Sequence, residues 1–472
     1  MEENNISKNT EEMEFLSRYD TVLSFLSLEV LCLGSFALGG ALGLTIFRIL
    51  GLFLAVITLG FLFNNYRAEE KKRYWICLIP FICLALLLGI SRFYMTSGTS
   101  LFSSLINGLV VSVGLVGFFL LGQGVKSIPV LKKDIILLCL GGTLALMVLI
   151  PGFYSLIRYG FFYAQKYKGM VYYYDGVVFQ IATETKVLNG FSFLEASLYY
   201  GKYASFLLSL AAVPCLFISP KKETKRFLCY LAFGLFGILD LIIVPFWLAL
   251  ILVAFIYVLA LAYRLVWGKV QKNNSQEKAD KVLKICFFVL IGIVAAGLLV
   301  LTIDALTNSI ISKLPIKIVQ SSRQSGLLSR IANAIRSVFL EEGDSGKKLN
   351  LLGMLVGVNS SYASDKLLTR IFEFSLLWEN GLIAFVLFLF CVFYMIKESH
   401  RFLAKGKERM DYKVALVALL LGLFLYLSFF NDEQPFRHSN TFSAWSRGSF
   451  PMLACFIAGL IYTHKEKEVA HE

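Results

Sequence analysis

Apolar runs long enough to cross a bilayer recur along most of this chain, and short basic clusters separate them. That alternation constrains the fold more than any motif does. Inside hydrocarbon every backbone N–H and C=O has to be satisfied within the protein, and a continuous apolar run of about 20 residues does this as a helix. Twelve spans are predicted, near 21–40, 43–64, 74–91, 101–122, 135–155, 203–219, 227–241, 245–264, 285–303, 374–396, 413–430 and 451–463. Gly39-Gly40 supplies the turn of a hairpin over 21–64. The run 227–264 is divided at Asp240 to Pro245, where a carboxylate and a proline interrupt it. The predicted fold class is therefore all-α, a polytopic integral membrane protein of about twelve transmembrane helices.

Composition agrees. Hydrophobic residues make up 57% of the chain and charged residues only 16%, whereas soluble domains carry about 25% charged residues. The net charge of +13 does not indicate a nucleic-acid partner, because the basic residues lie in clusters between apolar runs rather than on one folded surface. The nine cysteines all fall in apolar stretches without CxxC spacing, so neither a zinc site nor an outside disulfide framework is expected. The first 20 residues are polar and mixed in charge, which predicts an uncleaved first span rather than a cleaved signal peptide.

The basic clusters orient the threading. Arg67 to Arg73, Lys221 to Arg226, Arg264 to Lys284 and Lys397 to Lys413 all fall on one side when the spans alternate. About 27 Lys and Arg then lie inside and about 17 outside, the inward bias of a cytoplasmic face. The expected organisation is a cytoplasmic tail at 1–20, spans one to nine over 21–303 with an aromatic outside loop at 156–202, and a large extracytoplasmic loop at 304–373. Spans ten to twelve follow over 374–463, and a cytoplasmic tail closes the chain at 464–472. The expected location is a bacterial plasma membrane with both termini inside.

The outside segments hold the residues suited to chemistry. The first, after Arg158, is crowded with Tyr and Phe, which serve as interfacial anchors or as faces on which sugar rings stack. In the second, Leu328, Ile331, Ile335, Val338 and Phe339 repeat at helical spacing, which predicts an amphipathic surface helix. Arg323 and Arg330, seven residues apart, share a face of it if the helix begins early enough to include Arg323. An arginine fork binds phosphate oxygens two at a time and stays charged, so these residues either meet lipid phosphate or grip a diphosphate. Residues 341–346 read as a turn or flexible strip. Arg370 and Glu373 are i, i+3 neighbours, and Glu379 enters the apolar zone, where a carboxylate is costly and marks function. The last outside segment contains Arg437 and His438, and the histidine has the ordinary range for proton transfer. Asp240 is placed at an outer turn close to water.

The twelve spans, inside termini and long loop between spans nine and ten resemble the O-antigen polymerase and O-antigen ligase group of bacterial membrane glycosyltransferases. Arg330 followed by Gly353-Met-Leu-Val-Gly357 is similar to that group's loop arginine and glycine turn. Glu379-Asn-Gly381-Leu-Ile is similar to its Glu-x-Gly start of span ten. Residues 359–372 contain no histidine, which ligases carry there, and 240–247 contain no arginine, so the polymerase branch fits better.

The resemblance implies a GT-C-like membrane fold and glycosyl transfer without a metal or other cofactor. It also implies a polyprenyl-diphosphate-linked oligosaccharide as partner, together with the lipid bilayer and other polysaccharide-assembly membrane proteins. Under it Arg323, Arg330 and Arg370 stabilise charge on the departing diphosphate, with Arg158 and Arg437 as further substrate-binding candidates. Glu379, His438 or Asp240 takes the acceptor proton. The rival expectations are a membrane transporter or flippase of lipid-linked oligosaccharide and a non-catalytic membrane scaffold or receptor. Against the flippase stand the bulky outside loops and the few charges within the spans.

Overall fold

A computed structural model describes residues 18–19, 21–27, 50, 53–60, 83, 114–126, 133–159, 162–167, 171–174, 177–180, 186–191, 204–243, 247–272, 340–343, 346–349, 355, 372–404, 409–429 and 449–462. At 147, 150–159, 243, 247, 266–272, 372–380, 427–429, 449–451 and in the strands it describes the backbone alone.

Helices form where the apolar runs predict them. They are α1 (Gly114–Lys126), α2 (Lys133–Tyr159), α3 (Ala204–Phe217), α4 (Thr224–Ile243), α5 (Trp247–Lys272), α6 (Phe372–Ala404), α7 (Met410–Phe429) and α8 (Ser449–Ile461). Shorter helical stretches cover 21–27 and 53–60. Among the described residues two segments are long and apolar enough to cross a membrane, Leu248–Leu265 in α5 and Gly381–Ala404 in α6. The expected spans 74–91 and 285–303 lie outside the described residues, apart from the helical residue 83. The division of 227–264 is borne out, since α4 closes at Ile243 and α5 opens at Trp247.

The core is a bundle around α3. Phe206, Leu207 and Leu208 are fully buried there, and α3 packs against α4, α5 and α7. Its second half, Leu210–Phe217, winds as a 3-10 helix around Pro214. A proline ring in an α-helix crowds the carbonyl four residues back, which disfavours continued α winding there. On α4, Tyr230, Gly234, Gly237 and Leu241 form a buried stripe spaced by three and four residues, while Leu228, Ala232, Leu235, Leu239 and Ile242 form an exposed one. A helix whose outward face is this apolar suits hydrocarbon rather than water.

Among the described side chains, those of the packed core belong to helices and their turns, in keeping with an all-α bundle. Among the described residues the polar segments also form three two-stranded antiparallel ladders, which differs from the expected all-α class. Strand β1 (Phe162–Tyr167) pairs with β4 (Lys186–Phe191), and β2 (Val171–Tyr174) pairs with β3 (Val177–Gln180). Strand β5 (Leu340–Gly343) pairs with β6 (Gly346–Leu349), which puts Glu341 opposite Lys348 and Glu342 opposite Lys347. The strip expected to turn at 341–346 is thus a hairpin, and opposite charges across a ladder favour that register.

Candidate functional site

Asp240 is placed differently from the sequence expectation. It was expected at a watery outer turn, yet it lies inside α4 and is 2% exposed. The Ser205 hydroxyl of α3 donates to its carboxylate. Two glycines on the same face of α4 make that depth attainable. A Cβ on Gly237 would stand 2.3 Å from the Ser209 nitrogen and 2.7 Å from the Ser205 oxygen, and one on Gly234 would stand 2.4 Å from the Ala212 Cβ. Without side chains at these positions the two backbones close together, and Asp240 follows one turn further along the seam. Nearby, the Tyr257 hydroxyl of α5 donates to the Ser209 carbonyl at 2.9 Å, just where the helix changes to its 3-10 winding. A carboxylate this deep in an apolar helix is costly to hold, and such residues are often functional.

The second element is a break in α6. Gly381 has φ 77° and ψ −180°, so Phe372–Ala404 is two helical pieces joined at that residue. A side chain would strain this left-handed backbone, and glycine relieves it. Glu379 lies two residues before the break, at the end of the short first piece, and the membrane-length helix begins at Gly381. The Glu-x-Gly pattern read from sequence thus coincides with a backbone discontinuity at the mouth of a long apolar helix.

The opposite end of the bundle carries an ion network that the sequence reading missed. Arg409, at the start of α7, reaches Asp134 of α2 at 2.6 Å and Asp411 at 3.1 Å. Arg226 of α4 joins the same Asp134 at 3.1 Å and Glu223 at 3.1 Å. The Tyr230 hydroxyl donates to Asp411 at 3.0 Å. Partial burial alone would lower the Arg409 pKa, but the hydrogen bonds it donates to the Asp134 and Asp411 carboxylates outweigh burial and hold the guanidinium above its ordinary value.

Lys126 at the end of α1 donates to the Tyr462 carbonyl at 2.6 Å, and the Gln123 amide to the Gly459 carbonyl at 2.8 Å, so both serve the last carbonyls of α8. The ammonium groups of Lys126 and Lys413 also lie 5.5 and 5.9 Å from the Phe402 ring centre. These bonds bring the connected ends α1/α2, α3/α4 and α6/α7, and the end of α8, to one side of the bundle. Asp240 lies 14 residues beyond Arg226 on α4, about 21 Å along its axis.

Of the predicted site residues, Asp240 alone has its side chain described. Arg158 and Glu379 lie in helices described as backbone, Arg158 one residue before the end of α2. Arg323, Arg330, Arg370, Arg437 and His438 lie outside the described residues, as does the amphipathic helix predicted at 328–339. Ser205 was missed. Its signal was the spacing Gly234-x-x-Gly237-x-x-Asp240, which marks a face of α4 able to approach another helix closely. Among the described residues no three His, Cys, Asp or Glu side chains gather as a metal ion requires. No family model matches the chain, and neither does any curated protein or solved structure.

Proposed function

We propose that this chain is a surface polysaccharide polymerase of the bacterial plasma membrane. It spans the bilayer about twelve times with both termini in the cytoplasm. It transfers oligosaccharide from a polyprenyl-diphosphate-linked donor to a sugar hydroxyl of a lipid-linked acceptor on the outer face. The observation that carries this reading is the arginine-bearing polar segment 304–373, leading into a helix that breaks at Gly381, two residues after Glu379. The gathering of Lys126, Asp134, Arg226 and Arg409 at one end supports the threading, since twelve spans require those connections on one side.

In the reaction the acceptor oxygen attacks the anomeric carbon of the donor sugar, and the bond from that carbon to the diphosphate oxygen breaks. Charge grows on the leaving diphosphate, where Arg323, Arg330 and Arg370 stabilise it, assisted in binding by Arg158 and Arg437. The acceptor proton passes to a base, with Glu379, His438 and Asp240 as the candidates. The test is Arg330→Ala in cells: polymer is lost at unchanged protein level, and polymer of wild-type length would refute the assignment.

A second reading, a flippase of the same lipid-linked oligosaccharide, takes support from Asp240, because buried carboxylates in spans often serve transport. Purified protein in detergent, supplied with lipid-linked repeat units, separates the two. Chain growth there requires an enzyme, since transport has no meaning without compartments.

A further inference from the structure

We infer that the turn between α3 and α4 is a docking surface for anionic phospholipid headgroups, formed by Lys221, Lys222 and Lys225. The three lysines are exposed, and among the described residues none of them makes an ion pair. Their neighbour Arg226 is committed to Asp134 and Glu223, which also neutralises the one carboxylate of the turn. The turn itself is ordered. The Ser219 carbonyl accepts from the Lys222 and Glu223 amides at 3.1 Å each, and the Thr224 hydroxyl donates to the Pro220 carbonyl at 2.8 Å.

The occupant follows from what continues above the turn. Lys225 stands three residues before Leu228, at the foot of the exposed stripe of α4. Leu228, Leu235, Leu239 and Ile242 on that stripe are 56%, 48%, 55% and 50% exposed. From Lys225 to Ile242 the stripe runs about 26 Å along the helix, close to the thickness of a hydrocarbon core. Hydrocarbon against the leucines sets the headgroup layer at Lys225 and the turn beneath it. Ammonium groups at that depth attract anionic headgroups, about fivefold in affinity for each charge.

The inference rests on the membrane-spanning reading and not on glycosyl transfer. The test titrates the full chain in neutral detergent with short-chain phosphatidylglycerol and, separately, phosphatidylcholine. Wild type prefers phosphatidylglycerol, and added salt erodes the preference. The variant K221Q/K222Q/K225Q loses phosphatidylglycerol affinity, roughly a hundredfold at most, with unchanged phosphatidylcholine binding, and K221R/K222R/K225R retains it. Equal affinity for the two lipids, a salt-independent preference, or an unaltered glutamine variant would overturn the inference. A chain that stays soluble without detergent would instead overturn the membrane reading beneath it.

Discussion

Arg409 and Asp134 are 275 residues apart in sequence and 2.6 Å apart in space. The arginine holds a left-handed backbone, φ 54°, a conformation that costs on the order of 1 kcal/mol or more for a residue with a side chain. From there its guanidinium spans α2 and α7, and the shared Asp134 brings in α4 through Arg226. Arg409→Ala leaves Asp411, nearly buried, without its charged partner. The expected cost is about 2 kcal/mol, moderated by the exposure of Asp134. Thermal unfolding in detergent checks this. A double-mutant cycle with Asp134→Ala is expected to show coupling of about 1 kcal/mol.

Gly237→Ala is expected to be severe. The new methyl would meet main-chain atoms of α3, which cannot swing aside as a side-chain tip can, so about 2–3 kcal/mol or failure to accumulate is expected. Gly142→Ala, with nothing within 4 Å of the new methyl, is the matched control and is expected to be neutral or to gain up to about 1 kcal/mol from helix propensity. Membrane levels and melting temperature distinguish the pair.

Asp240→Asn keeps the shape of the side chain and an oxygen for the Ser205 hydroxyl, so folding is retained. If the carboxylate takes the acceptor proton, polymer formation falls by roughly 10²–10⁴-fold. Full activity in the purified variant removes Asp240 from the candidate bases and leaves Glu379 and His438.

Gly381→Ala forces a side chain onto a backbone at φ 77°, at a cost of about 1–2 kcal/mol. Either the strain persists or the two pieces of α6 straighten into one helix, which rotates Glu379 away from its native direction. Shorter polymer at near-normal protein level is the expected outcome, and unchanged chain length would separate the break from function.

Reporter fusions test the threading. Fusions at Lys222 and Lys407 are expected to report the same compartment, and a fusion near Gly343 the opposite one. A cytosolic result near Gly343 would remove the proposed site.

Among the described residues helix positions were legible in the sequence, because a long apolar run announces a helix without reference to its neighbours. The break between α4 and α5 was legible from Pro245, whereas Asp240, read as part of the interruption, lies within α4. Glu379-Asn-Gly381 was legible as a pattern, and the left-handed glycine gave it a backbone meaning. The hairpin at 340–349 was not read, because strand pairing depends on register across a turn and short polar strands have weak periodicity.

Only the tertiary structure decided where Asp240 lies. Its burial depends on how closely α4 approaches α3, which Gly234 and Gly237 permit and no local propensity requires. The meeting of Arg409, Asp134, Arg226 and Asp411 has the same origin. Each is an ordinary charge near a helix end, and packing of helices distant in sequence turns those charges into one network.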